Sequence, residues 1–561
     1  MLCNPCNELD LHDFPTETIQ GKLATFKPPA TTDSISEGPT GEIGRSVVIR
    51  VGELLCLLVT FFAFAGDPAP MVNESHYLIK AKSFWQPDWC ASDLFVSSAK
   101  AHTTFYFTFG WMTQCFSLEV TAWIGRLLGW LLIAHGLSEL SWNLFRKAFL
   151  CIPIAILWMA ATEYGNLAGE WVIGGIEAKV PAFGFVLWGA AEMIRRRWHR
   201  TWILLGCASA FHVLTGGWSV VAASIAWCVC ERRQSPRSPL LSWPLVVGGA
   251  IALFGLVPAL ALQSGASAEE GIRAARIYTY YRLPHHLVPT SFQLSWYLRH
   301  GTLLASIVII AGRFGVKPQL KPLIAFAATA FGLSVLGFAI GIAMQWAPNL
   351  AAQLLRYYWF RLADAIIPLL FSVLIVNLLL SNQRRVAIFG WSVTLLATLC
   401  LSVDAIQRSR LQIPPSASHH ILGFAPDASP SDQQQSFRDW IAVCHWARRS
   451  SDPSEVFLTP RHQQTFKWYA QRSEVANWKD VPQDASSLIQ WYDRFTSIYP
   501  QRLGNTRVTI QYPILRQYRE QFGVRWMIVD RRIVGEHLPL NRVYPTGDQS
   551  NETYAVYELP R

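Results

Sequence analysis

Five ionisable side chains crowd the segment GDPAPMVNESHYLIKAKSFWQPDWCASDLF at residues 66–95: Asp67, Glu74, His76, Asp88 and Asp93. They follow at once on an apolar run at 46–66. Carboxylates held at a membrane surface can activate a hydroxyl as general base or hold a divalent cation, so Asp67, Glu74 and His76 are the catalytic candidates. Glu74 stands apart because it opens a helical stretch, ESHYLIKAKSF. Asp88 and Asp93 read more simply as solvated loop charges.

A second acidic segment, ATEYGNLAGEWVIGGIEAK (161–179), supplies Glu163, Glu170 and Glu177. Its glycines allow tight turns and Trp171 offers a stacking face, although a capped turn between two helices explains the same residues. Segment 263–296 carries Arg273, Arg276 and the string YYRLPHHLVPTSF at 280–292. Guanidinium grips phosphate oxygens bidentately and His adds a donor, so Arg282, His285 and His286 fit a phosphate or sugar contact ahead of plain interfacial anchoring. Adjacent residues do not share one face, which argues against a joint His285–His286 metal site. RYYWFRLAD (356–364) adds Arg356, Arg361 and Asp364, for which snorkelling arginines are the plain reading. His212 lies at the outer end of its apolar run and could line the same cavity. Gly337 and Gly341 have a helix-packing spacing.

Motifs of other classes are missing. No Walker loop, HExxH, GxSxG or GxGxxG stands at a strand-to-helix junction, which argues against ATPases, zincins, serine hydrolases and dinucleotide enzymes. Cys3 and Cys6 form one CxxC without a partner pair, and most of the 11 Cys fall inside apolar runs, so neither a zinc site nor a disulfide framework is indicated.

The elements that must position these groups follow from composition. With 561 residues, 51% hydrophobic, 15% charged and a mean hydropathy of +0.22, the chain is too apolar for an ordinary soluble domain. Apolar runs of crossing length lie at 46–66, 120–138, 240–262, 322–345, 363–380 and 386–404, with shorter ones near 148–162, 180–194, 201–214, 216–230 and 297–312, eleven in all. The net charge of +10 reads as topology rather than nucleic-acid binding, because Arg195–Arg197 with Arg200, Arg232–Arg237, Arg313–Lys321 and Arg384–Arg385 alternate as inside loops. Phe145-Arg146-Lys147 joins that inside set only if 101–118 (AHTTFYFTFGWMTQCFSL) lies along the membrane rather than through it. The polar residues 1–45 then form a cytoplasmic tail without a removable signal peptide, and the first run stays as an anchor. The segments 67–119, 163–179, 215–217, 263–296 and 346–362 and everything past 404 fall outside.

The tail begins with a Pro/Ser/His-rich linker, 405–430, followed by a domain at 431–561. A helix is expected from Ser431 with Phe437, Trp440, Ile441 and Cys444 on one face. Strands are expected at 455–460, 507–513, 525–530 and 554–559, giving a small α/β domain.

An apolar crossing followed by an acid, His-Tyr and a basic helical stretch, here Asn73-Glu74-Ser75-His76-Tyr77, resembles the GT-C superfamily of membrane glycosyltransferases, which includes protein O-mannosyltransferases and the lipid A aminoarabinose transferase. The layout is similar from 46 to 561, and the strings NESHYL, GEWVIGGIEAK and RLPHHL look closest to a bacterial polytopic branch without an assigned activity. The resemblance implies an α-helical polytopic membrane protein of about 11 transmembrane helices over 46–404, with interfacial helices in its first loop and a C-terminal extracytoplasmic α/β domain, set in a bacterial cytoplasmic membrane. It implies Glu74 as general base or cation ligand, and a polyprenyl-phosphate sugar donor with its phosphate near Arg282, His285, Arg356 or Arg361. Many relatives have Asp-Glu where this chain has Asn73-Glu74, which weakens a divalent-cation cofactor. The expected partners are the lipid-linked donor, membrane lipids and an extracytoplasmic acceptor. A non-catalytic envelope protein is the rival reading, and a transporter is disfavoured because the polar residues gather at one face.

Overall fold

Each of the eleven apolar runs is a helix in the computed structural model, which describes residues 46–231, 242–414, 428–461, 463–499, 511–535 and 537–561. In chain order α1 is Val47–Ala65, α2 Glu74–Trp85, α3 Leu94–Ser97, α4 Thr103–Phe109, α5 Leu118–Phe145, α6 Cys151–Gly165, α7 Lys179–Ile194, α8 Trp198–Phe211, α9 Val213–Glu231 and α10 Trp243–Ala261. Beyond them α11 is Ala268–Arg276, α12 Pro284–Leu287, α13 Leu294–Phe314, α14 Lys321–Ala343, α15 Pro348–Leu355, α16 Arg361–Leu379 and α17 Arg384–Leu411. Eight of these (α1, α5, α9, α10, α13, α14, α16 and α17) are long and apolar enough to cross a membrane. Helices α6, α7 and α8 are shorter, at 15, 16 and 14 residues.

Burial sorts the long helices. Helix α16 is 89% buried in its apolar window and is the core strut, packed by α6, α13, α14 and α17. Helix α10 is only 11% buried and presents Val246, Leu253, Phe254, Val257 and Leu260 outward. So large an uncovered apolar face is stable only against lipid or another apolar surface.

The segment 101–118 folds as α4, a 3₁₀ turn at Gly110–Gln114, and the Ser117 cap of α5. Seven helical residues rise only ~10 Å, a third of a bilayer core. The loop also leaves from and returns to one end of the bundle, since Arg126 of α5 donates to the Asp67 carbonyl just past α1 (2.6 Å).

The tail carries a five-stranded sheet in the order β2-β1-β3-β5-β4, with β1 Val456–Leu458, β2 Ser473–Glu474, β3 Val524–Asp530, β4 Asn541–Tyr544 and β5 Tyr554–Glu558. Strands β1, β2 and β3 run parallel, and β5 pairs antiparallel with β3 and β4. Helices α18 (Pro430–Ser450), α19 (Phe466–Ala470), α20 (Ala485–Ile498), α21 (Tyr512–Phe522) and α22 (Arg531–Val534) accompany it. The expected helix at Ser431 begins at Pro430 under a Ser429 capping box, and it buries Trp440, Val443 and Cys444, with Phe437 and Ile441 only half-buried. The strand expected at 507–513 is corrected where it is described: Tyr512-Pro513 opens α21, since proline suits a first helical turn and lacks a ladder N–H. The tail at 1–45 with Cys3 and Cys6, the cluster Arg232–Arg237, the linker residues 415–427 and the start of that strand lie outside the described residues. From Val47 to Arg561 the chain forms one compact unit.

Candidate functional site

A cavity of about 180 Å³ opens where the helix ends meet the sheet domain. Its walls come from the start of α2, the loop 166–178, the α8–α9 corner, the segment between α10 and α13, the start of α16 and residues 479–483. Elements hundreds of residues apart converge there because one end of the bundle collects alternate loops.

Of the candidate catalytic and binding residues, His76, Glu170, Glu177, His212, Arg282, His285, His286 and Arg361 line this cavity, together with Trp171 and Asp364. Three do not, and each has a physical reason. Glu74 is fully buried against Arg126, which donates from Nε and Nη2 at 2.6 and 2.5 Å, while the Met71 and Ile176 amides donate to the same carboxylate at 2.8 Å each. Both oxygens are occupied, so Glu74 is a structural anchor for the first loop and not a free base. Asp67 accepts from Arg408 at 3.1 Å beside a different cavity, shared with Glu163 and Asp404. Arg356 borders a third hollow with Gln353 and Tyr357. Asp93 also departs from the solvated reading: it is 2% exposed, caps α3 through the Val96 amide, and meets Lys467 at 3.1 Å.

The loop 166–178 is held to this wall from every side. Asp364 on α16 accepts from the Leu167 and Ala168 amides at 2.8 Å each. Nδ1 of His286 donates to the Ala168 carbonyl at 2.5 Å, and the Trp130 indole donates to the Gly174 carbonyl at 2.9 Å. Glycine is needed at 175, where a Cβ would lie 2.7 Å from Glu74 Cγ and from Met71 Cβ. Glu170 accepts from Arg361 Nε at 2.6 Å and from Lys179, and Lys179 also meets Glu177 at 2.8 Å. Burial alone would raise the Glu170 carboxyl, but Lys179 and Arg361 outweigh it and hold it below the usual carboxylate range. Asn73 donates to the other Glu177 oxygen at 2.8 Å. Two cations and two carboxylates therefore cancel on this side.

The facing wall does not cancel. Beyond α11 the chain widens into a π-helical stretch, Ile277–Arg282, with the Leu283 amide bonded to the Tyr278 carbonyl five residues back at 3.0 Å. The stretch delivers Arg282, whose Nε donates to the Trp478 carbonyl at 2.8 Å and whose guanidinium lies 4.9 Å from that indole ring. Lys479 follows Trp478 on the same wall. Among the described residues neither Arg282 nor Lys479 makes an ion pair. Burial lowers Arg282 to about 10, and burial together with Arg282 lowers Lys479 to about 7. Burial likewise holds His285 and His286 near 4 and 3, so both imidazoles are neutral at pH 7. Tyr358 supports the rim with φ +53°, a conformation unfavourable for an aromatic residue, and shares a 2.9 Å hydroxyl bond with Tyr278.

Sequence reasoning missed Tyr77, Lys179, Tyr358, Lys479 and Asp480 at this site. Lys479-Asp480 sits in the tail stretch SEVANWKDVPQ, where no periodicity or motif marks it. The cavity carboxylates Glu170, Glu177 and Asp364 are bonded to lysine, arginine, asparagine or backbone amides. Among the described residues no group of three or more His, Cys, Asp or Glu is arranged to hold a metal ion.

Residues 438–498 match a family model described as a domain of unknown function, DUF6798. That stretch contains Lys467, Lys479 and Asp480. No curated protein matches the chain.

Proposed function

We propose that the chain is a GT-C-like membrane glycosyltransferase that moves a sugar from a polyprenyl-phosphate donor to an extracytoplasmic acceptor. The observation that carries the reading is the pair of basic groups, Arg282 and Lys479, on one cavity wall, with no carboxylate bonded to either among the described residues. A buried cation without a counter-ion is costly, and an anionic ligand group relieves that cost. The donor phosphodiester would rest on this pair while its chain runs out along the exposed apolar faces, and the sugar would lie over Trp171 and the Glu170–Lys179–Glu177 side. Arginines 195, 196, 197 and 200 bracket α7 and α8 at their other junction, where Arg195 approaches Glu139 at 3.7 Å. By the positive-inside rule that end is cytoplasmic and the cavity extracytoplasmic. The eleven-crossing topology in a bacterial cytoplasmic membrane belongs to the same proposal, with α6, α7 and α8 crossing as short spans of ~21–24 Å held by their neighbours.

The test uses the full chain in nanodiscs with labelled polyprenyl-phosphate sugars. Wild-type protein should transfer label to acceptor-containing membrane extract, and Arg282→Met should lower transfer about 100-fold or more, since a phosphate clamp acts on the leaving group as charge develops there. No transfer by wild type with any lipid-linked donor would sink the enzyme reading in favour of a non-catalytic envelope protein.

A further inference from the structure

One imidazole in the cavity differs from the others in its partner. Nδ1 of His76 lies 3.3 Å from Oδ1 of Asp480, a residue 404 positions along the chain and on the sheet domain. The other oxygen of Asp480 is fixed by Asn477 Nδ2 at 3.0 Å and Lys467 Nζ at 2.9 Å, so the carboxylate cannot turn away. Burial would raise Asp480, but Lys467, His76 and Asn477 outweigh it, and the group stays ionised far below neutrality. The His76 ring is held by Phe95, with centroids 4.5 Å apart, and by the edge of Tyr77 at 5.5 Å. Among the described residues its Nε2 has no hydrogen-bond partner, and His76 lines the cavity.

We infer that His76 and Asp480 form the proton-accepting couple of this site, with Asp480 fixing the imidazole tautomer and His76 Nε2 taking a proton from the acceptor. A carboxylate can only accept, so it selects the Nδ1–H tautomer and leaves the lone pair on Nε2. Glu74, the residue placed by the first-loop pattern, lacks any such free atom. The couple rests on the transferase reading for the reaction it serves. In that reaction the acceptor O–H proton passes to Nε2 as the acceptor oxygen forms its bond to the sugar C1. The C1–O bond to phosphate breaks with its electron pair leaving on the lipid phosphate, against Arg282 and Lys479. The imidazolium formed is stabilised by Asp480 and later releases its proton to water.

The groups facing His76 set the expected pH behaviour. Burial lowers its affinity for a proton, Asp480 raises it, and Lys479 and Lys80 lower it. His102 stands beside it from the α4 side. Behind Asp480 lies Lys467, which also meets Asp93 and Glu474.

Site-resolved acylation of the full chain by diethyl pyrocarbonate, read by peptide mass spectrometry across pH, tests the couple without any sugar donor. His76 should be modified, with its pH midpoint lowered in Asp480→Asn, retained in Asp480→Glu and raised in Lys479→Met. An unmodified His76, or one whose midpoint is the same in Asp480→Asn, would overturn the couple. In the transfer assay Asp480→Asn should cut kcat about 100-fold with little change in KM and move the acidic limb of the pH profile to lower pH. Transfer with an unmoved limb would remove His76 as the base. Acylation that behaves as expected alongside no transfer from any donor would reject the transferase reading while the couple stands.

Discussion

Glu74 and Arg126 show how much one buried pair decides at the scale of single residues. Both side chains are fully buried, and the pair joins the first loop to α5. Removing one partner strands the other charge, which costs about 3–5 kcal/mol. Arg126→Met should therefore unfold at a markedly lower temperature in nanodiscs, and Glu74→Gln should do so to a lesser degree. A Glu74→Gln protein as stable as wild type but inactive would return Glu74 to the chemistry. Lys479 makes the opposite kind of prediction, because its burial depresses it to about 7. It is cationic below that pH and neutral above, so affinity for a polyprenyl phosphate should weaken as pH rises past 7, by up to about tenfold per unit. Titrating binding by native mass spectrometry in wild type and Lys479→Met checks this: the variant should lose the pH dependence and keep the weaker binding that Arg282 supports.

The loop 166–178 is the element on which the cavity depends. It has no regular structure of its own, so its shape comes from Asp364, His286, Trp130 and Glu74 bonding to its backbone. A methyl group at Gly175 has no room, and Gly175→Ala should cost about 1–3 kcal/mol by overpacking. Gly217→Ala in α9, where nothing lies within 4 Å, is the neutral control. Equal thermal shifts in the two variants would show that the loop adapts. The helices around the loop were legible from sequence because a run of apolar residues can satisfy its backbone in only one economical way in lipid. The short strands β2 and β4 were not: Ser473-Glu474 is two residues long, and Asn541–Tyr544 has no clear alternation.

At the scale of the whole molecule the sheet domain and the helix bundle share a buried ionic joint. Lys467 meets Asp93 of the first loop and Glu474 and Asp480 of its own domain, at 3.1, 2.7 and 2.9 Å. Burial would lower this lysine, but the three carboxylates outweigh it and keep it charged. Lys467→Met leaves those carboxylates without their cation, so limited proteolysis should release the domain after about residue 414 far faster than in wild type; an equal rate would show the joint to be dispensable. A reporter fused at Arg561 should read extracytoplasmic, and a cytoplasmic reading would invert the proposed orientation. The sequence by itself determined the helices, because hydrophobic runs act locally and leave periodic traces, and residue chemistry singled out eight of the side chains that line the cavity. Only the tertiary structure decided that Glu74 is a tied anchor, that Asp67 and Arg356 stand elsewhere, and that Lys479 and Asp480 complete the site. Those outcomes depend on which side chain meets which across hundreds of residues, and pairing at that distance leaves no spacing to read.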